Sequence, residues 1–200
     1  MAENRKLAPT TLLILLAIAS FAAAAVTITN ITEWHVYAKT PPIVKVDGDV
    51  FGYGYGKYVN VTKTTGDDGT NRTVISVLGF TGDPVRYDNV LYICNNDYQE
   101  YTYNVQLEYK KLLYDTTWDY VKYITLYFGS DNNKLEITSS TSSGAATTTP
   151  VSIPPGECVP VSVEVLVKPN AYTDGKADGS TMLIAIEVDV VATGPVATGP

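Results

Sequence analysis

Histidine is nearly absent from this sequence: His35 is the only one in 200 residues. A His-rich zinc site needs several imidazoles and no His-Glu-x-x-His motif is present, so metallopeptidase chemistry has no visible ligand set. A Ser-His-Asp or Cys-His nucleophile would rest on His35 alone, and a lone histidine on a polar strand face reads as structural or solvent-facing. Basic residues are outnumbered, 14 Lys and Arg against 21 Asp and Glu, for a formal charge of -7. Such a surface repels nucleic acid and anionic lipid headgroups, so neither is expected as a partner. The Gly-rich run Gly52-Tyr-Gly-Tyr-Gly56 lacks the Lys-Ser/Thr and the helix start of a phosphate loop, and reads as a twisted edge or loop. Asp174-Gly-Lys-Ala-Asp178-Gly-Ser180 loosely suggests a calcium loop, but the alternate oxygen ligands and closing Glu are missing, which leaves turn chemistry. No catalytic residue, metal site or cofactor is expected, and the chain reads as a non-enzyme.

Long apolar runs are confined to the beginning. Arg5 and Lys6 precede an apolar stretch centred on Leu12–Phe21 and then Ala22-Ala23-Ala24-Ala25. That order of basic, apolar and small segments reads as a secretory signal peptide, residues 1–25, cut after Ala24 or Ala25. A retained span would need about 20 unbroken apolar residues, and a type IV pilin would be cut before its apolar segment rather than after it. Export then frees the strand Ala25-Val-Thr-Ile-Thr-Asn-Ile31, which continues to Lys39. Its alternation puts Val26, Ile28, Trp34 and Val36 on one face and slips once at Asn30, the mark of a bulge or of a junction between two pairing units.

Two cysteines, Cys94 and Cys158, remain in a chain expected to be exported. An even count there suggests one disulfide, with two separately buried thiols as the alternative. Three sequons, at Asn30, Asn60 and Asn71, make these asparagines candidate glycosylation sites. Asn60 and Asn71 flank the Gly66-Asp-Asp-Gly69 turn, where a sugar is free to project.

What the rest of the chain has in abundance is alternation broken by Gly, Pro, Asn and Asp. Asp47-Gly48 lies between Ile43–Val46 and Val50–Phe51 and supplies a tight hairpin turn. Tyr58–Thr64 pairs with Thr73–Phe80. Val90–Cys94 is expected to pair with Tyr101–Tyr109, in which Tyr101, Tyr103, Val105, Leu107 and Tyr109 share a face. Val121–Phe128 and Leu135–Thr138 follow, with room for a helical turn in residues 110–120. Ser139–Thr149 reads as a flexible connection. Val159, Val161, Val163, Val165 and Val167 face one way in the next strand, whose start, at Pro160, belongs at an edge or unpaired. Met182–Val190 is the last expected strand. The tandem Val191-Ala-Thr-Gly-Pro195 and Val196-Ala-Thr-Gly-Pro200 reads as a mobile tail. About ten short strands without a convincing helix make the expected fold an all-β sandwich over residues 26–190. The 15 tyrosines divide between the core and wet faces suited to lateral contacts.

The layout has a relative. A leader followed at once by an alternating strand, then Leu-Tyr-Ile-Cys-Asn-Asn (91–96), Tyr-Thr-Tyr-Asn-Val-Gln-Leu-Glu (101–108) and Ile-Pro-Pro-Gly-Glu (153–157) before Val-Pro-Val-Ser-Val-Glu-Val (159–165), resembles the TasA/camelysin family of biofilm matrix fibre proteins, and within it the archaeal bundling pilins. The resemblance implies a jelly-roll-like sandwich whose N-terminal strand, about residues 26–32, is donated to the neighbouring subunit. It implies identical subunits as partners in a secreted or cell-surface filament, with possible lateral bundling and no membrane after leader cleavage. Camelysin-type members are described as metallopeptidases, a role for which a single histidine gives no means. The alternative reading is a monomeric secreted cell-surface binding module.

Overall fold

The computed structural model describes residues 41–48, 58–65, 71–97, 101–114 and 116–196, and among these it has ten strands and one helical turn. All of these lie in one unit, Thr40–Pro200. The strands are β1 (Ile43–Asp47), β2 (Val59–Thr65), β3 (Asn71–Val77), β4 (Pro84–Asn95), β5 (Thr102–Leu112), β6 (Val121–Phe128), β7 (Lys134–Ile137), β8 (Val151–Ile153), β9 (Cys158–Val167) and β10 (Ile186–Val196). The turn α1 (Asn170–Thr173) follows β9. No helix among the described residues is long and apolar enough to cross a membrane. The expected leader and the strand 25–39 lie outside the described residues, as do Gly52–Gly56 and Gly66–Gly69.

The fold is all-β, as the alternation requires. An antiparallel five-stranded sheet, in the order β1-β4-β9-β6-β7, faces a three-stranded sheet, β10-β5-β8, and β2 and β3 form a separate ribbon. Val161, Val163, Val165 and Val167 of β9 and Val105, Leu107 and Tyr109 of β5 are all buried in one core, joined by Phe128, Ile137, Ile153 and Val59 and Val61 of the ribbon. Period-2 patterning thus places one face of each sheet inward, and the burial of whole β-branched rows supplies the main driving force.

Pairing departs from the sequence expectation at several places. The strands on either side of Asn95-Asn96-Asp97 do not form a hairpin: β4 pairs with β1 and β9, whereas β5 pairs with β10 and β8. The connection crosses between layers. Asn95 makes the crossing rigid. Its side chain is fully buried, and its Nδ2 donates to the carbonyls of Tyr101 (2.8 Å) and Ile153 (2.9 Å) while its Oδ1 accepts from the Asp97 N–H (3.0 Å).

β5 runs on to Leu112, into the first residues of the stretch 110–120 that had room for a helical turn, and Thr116 donates to the Leu113 carbonyl in a turn just beyond it. The tract 139–149 is not a loose connection: Gly144 donates to Tyr109, Tyr109 to Ala146, and Thr148 to Leu107, whose own N–H donates to the buried Thr148 Oγ1. β5 lacks a regular partner beyond β8, and this segment satisfies its backbone there. β9 is central over Val161–Val167, whereas its start at Pro160 has a strand partner only in β4 and is unpaired on its other side, as expected. Pro160 is tolerated because its carbonyl, accepting from Gly129, and its missing N–H point toward β6, whose ladder ends at Phe128. The last strand also shifts, running Ile186–Val196 through residues expected to be a tail. The Gly194-Pro195 pair is absorbed in a bulge between the Thr193–Asn104 and Val196–Thr102 pairs, with Gly194 at φ 141°.

The Asp47-Gly48 dipeptide serves close packing. A Cβ at Gly48 would collide with the backbone carbonyl of Asn89, itself at φ 51° in the irregularity of β4. The expected return strand, Val50–Phe51, lies outside the described residues.

Because Asn95 of the five-stranded layer satisfies the carbonyls of Tyr101 and of the buried Ile153 at the three-stranded one, truncation to Ala should leave both without that donor. We expect Asn95→Ala to lower unfolding free energy by about 3 kcal/mol, read from urea denaturation; an unchanged midpoint would show that the crossing is not a stabilising contact.

Candidate functional site

The sandwich has two ends. At one, Ile43, Asn95, Ile153 and Cys158 meet, and the chain enters β1 from residues 41 and 42; at the other lie Pro84, Leu112, Val167 and Ile186. The first is the entry end and the second the far end.

An open groove of about 330 Å³ runs between the two sheets near the entry end. Its walls are Pro41, Pro42, Ile43 and Lys45 from the start of β1, Tyr103 from β5, and Val190 and Ala192 from β10. The strand faces explain why it is apolar. Val190 lies opposite Leu107 and Ala192 opposite Val105, which places both on the core side of the three-stranded sheet. Ile43 and Val190 pack against the core without being enclosed by it. Among the described residues, β1 pairs only with β4 and β10 only with β5, so each strand presents a second edge without a strand neighbour.

The floor of the groove is polar at one point. Tyr103 donates from its hydroxyl to Asp97 Oδ2 at 3.0 Å, and Asp97 is buried. Burial, then the hydrogen bond to Asp97, raises the Tyr103 phenol above its ordinary range. In the five-stranded sheet at the same end, Cys94 and Cys158 are joined in a disulfide between directly opposed positions of β4 and β9, as expected from their even number. Their sequence separation of 64 makes the closed loop long, and in the chain-entropy account such a closure stabilises by about 4 kcal/mol.

Asn60 stands exposed on β2, opposite Ser76, between the buried Val59 and Val61. The backbone of Asn71 opens β3 opposite Thr65. The sequence-derived donor residues Ala25, Val26, Thr27, Ile28, Thr29, Asn30 and Ile31 lie outside the described residues, as does His35. Asp178 is engaged by its own loop: it accepts from the backbone of Thr181 and Ser180 and from the Thr181 hydroxyl, which holds its carboxyl well below the usual carboxylate range. Among the described residues no group of three His, Cys, Asp or Glu side chains is placed to hold a metal ion.

Sequence reasoning missed a second feature, on the outer face of the five-stranded sheet. The Glu164 carboxylate accepts from the hydroxyls of Tyr123 (2.7 Å) and Tyr127 (3.1 Å), which bridge over the buried Thr125. Arg86 stacks over the Tyr127 ring at 4.2 Å and donates to Asp88 and Asp131 at 2.7 and 2.6 Å. A shallow depression of about 130 Å³ adjoins these groups. Each of these side chains finds a hydrogen-bond partner within the network, which fixes the face. The pairing of Arg86 with Glu164 and of Glu164 with Thr125 across three strands was the available signal, but it required the register.

No protein-family model matches the chain, and no curated protein matches it.

The hydrogen bond to Glu164, then burial, pushes the Tyr123 phenol up to about 12, whereas an unfolded tyrosine titrates near 10. A raised folded value favours the neutral form, so its contribution to stability is full below about pH 10 and is lost as pH rises through about 12. We expect the stability of the wild type to fall across that interval, and Tyr123→Phe to flatten part of the fall, measured by urea denaturation against pH. Identical slopes in the two proteins would remove Tyr123 from the titration.

Proposed function

We propose that this chain is the structural subunit of an extracellular filament that polymerises by donor-strand complementation. In this reading the strand Val26–Ile31 of one copy, freed by leader cleavage, enters the groove between β1 and β10 of the next. The observation that carries the proposal is the groove itself: an apolar cleft between two layers, bordered by two strand edges, beside the segment that leads back to the candidate donor strand. A strand inserted there gains both backbone hydrogen bonds and apolar burial, the two contributions that make strand addition favourable. The donor and the acceptor are different surfaces of the chain, so the contact is heterologous and repeats without closing.

The resemblance to biofilm fibre proteins and archaeal bundling pilins supports the same reading, as does a fold of paired β layers. Secretion, a jelly-roll-like connectivity and lateral bundling through Tyr-bearing wet faces belong to this proposal. So does glycosylation: Asn60, exposed on a ribbon away from the groove, suits a solvated sugar, with Asn71 expected alike, and Asn30 only where a bulge turns it out of the groove.

Two variants test the interface from its two sides. Deleting Val26–Ile31 should leave monomers that bind a synthetic peptide of residues 25–40 but make no filaments in electron micrographs. Ala192→Glu, an exposed position on the groove wall, should fold normally yet lower peptide affinity at least tenfold, because a carboxylate would be buried against an apolar strand. Normal filaments from the deleted chain would overturn the proposal.

A further inference from the structure

The far end of the sandwich carries an unusual share of exposed apolar surface. Of the eight large hydrophobic side chains exposed among the described residues, five lie there: Tyr58, Phe80, Tyr114, Tyr172 and Met182. Hydrogen bonds place them. Gly82 donates to Val167, and Thr81 bridges to Val167, which brings the segment after β3 to the end of β9. Leu78 donates to Tyr58, and the Tyr58 and Phe80 rings stand 6.1 Å apart. Leu113 donates to Ala185, and the Thr116 hydroxyl and the Ala185 N–H are also joined, so the loop bearing Tyr114 is tied to the one bearing Met182. The Lys168 ammonium donates to the Trp118 carbonyl and Asn170 to that of Asp119, which fixes the base of α1 and Tyr172.

These are anchored loops with aromatic side chains turned outward. Tyr172 is 75% exposed, Tyr114 74% and Met182 58%. Tyr114 also holds a left-handed backbone at φ 54°, a conformation rare for a bulky residue. Rigid tyrosines on a fixed base are the side chains that make association surfaces, since little rotamer freedom is lost on contact.

We propose that this far end is a docking surface for the entry end of a second copy of the same chain. The inference rests on the donor-strand reading, and the length of the connection selects the occupant. Ile43 lies twelve steps along the chain from Ile31, a reach of at most about 43 Å. β4, with 12 residues, spans nearly the same distance from far end to entry end, at about 3.3 Å per residue. A donor strand that threads a receiver from its far end, with Val26 deepest beside Ile43 and Tyr103, leaves Ile31 about 17 Å nearer the far end at about 3.3 Å per residue. The connection then spans the remaining distance and keeps the donor's entry end within reach of the receiver's far end. The opposite arrangement, entry end against entry end, would let two copies exchange strands and close into a dimer, whereas a filament requires unlike ends to meet. The entry end offers Tyr101, 44% exposed, and the exposed Pro41 and Pro154, flat groups suited to stacking on the far-end tyrosines.

The test uses the full chain after leader removal, with Tyr114→Ser, Tyr172→Ser and Met182→Ser combined. All three positions are more than half exposed, so circular dichroism and the urea midpoint should match wild type. We expect the critical concentration for filament growth, read by light scattering and electron microscopy, to rise at least tenfold. Binding of the residue 25–40 peptide to the same variant lacking Val26–Ile31 should be unchanged. Wild-type assembly by the triple variant would overturn the docking surface and leave the donor strand intact. Failure of the wild-type groove to bind the peptide would overturn the donor-strand reading and this inference with it.

Discussion

Among the described residues a five-stranded layer faces a three-stranded one, and much of this part of the molecule follows from that mismatch. Each sheet must cover one apolar face, and three strands cannot span the width of five at a spacing of about 4.8 Å per strand. On one side of β5 the shortfall is met by irregular chain, residues 144–148, bonded to β5 beyond the short β8. The β2–β3 ribbon brings Val59 and Val61 to the core. Between β1 and β10 no described segment fills the space, and a groove lined by Ile43, Val190 and Ala192 remains. An apolar cleft held open in water is unfavourable in proportion to its area. The docking of a strand is the simplest way to remove that area without rebuilding either layer.

Such a cleft keeps its shape only if its walls are stiff, and the polar groups near the entry end serve that purpose. Asn95 spans the layers with two donated hydrogen bonds from a fully buried amide, and its neighbour Asn96 donates to the Pro42 carbonyl at the groove wall. The disulfide locks β4 to β9 one residue away, and Tyr103 is held by Asp97. On the outer face, Glu164 and the two tyrosines it binds hold β6 against β9. A preformed acceptor loses less conformational entropy on binding than one that must order itself. The far end is built otherwise, from loops fastened at their bases with aromatic tips left in water.

Alternation made the all-β class and most buried residues legible, because a period of two is a local property of the chain. The rows Val161 to Val167 and Val105 to Tyr109 were read correctly for that reason. Partner choice is not local. The strands around Asn95-Asn96-Asp97 look like a hairpin in sequence, yet they lie in different sheets, since alternation names a face and not a neighbour. Pro160 suggested an edge because its missing donor matters only on the side where a ladder continues, and that side depends on where β6 stops. The Ser/Thr-rich tract at 139–149 looked flexible by composition, while the buried Thr148 hydroxyl carries part of the β5 ladder. The groove was illegible, for it is bounded by strands far apart in the chain.

The C-terminal repeat shows how an odd period can still serve a strand. Val191 pairs with Gln106 and Val196 with Thr102, so five residues of β10 advance along only four of β5. In a regular strand a five-residue repeat would turn each copy to the opposite face. The bulge at Gly194-Pro195 removes one residue from the count, and the repeat returns in phase. The same bulge places proline, which lacks an N–H, where β10 nears the entry end. An edge strand that ends in a bulge and a proline resists indiscriminate pairing with other chains. β10 is therefore open beside the groove along Val190 and Ala192 and blunted beyond it, so the strand addition we propose would be confined to the stretch whose side chains line the cleft.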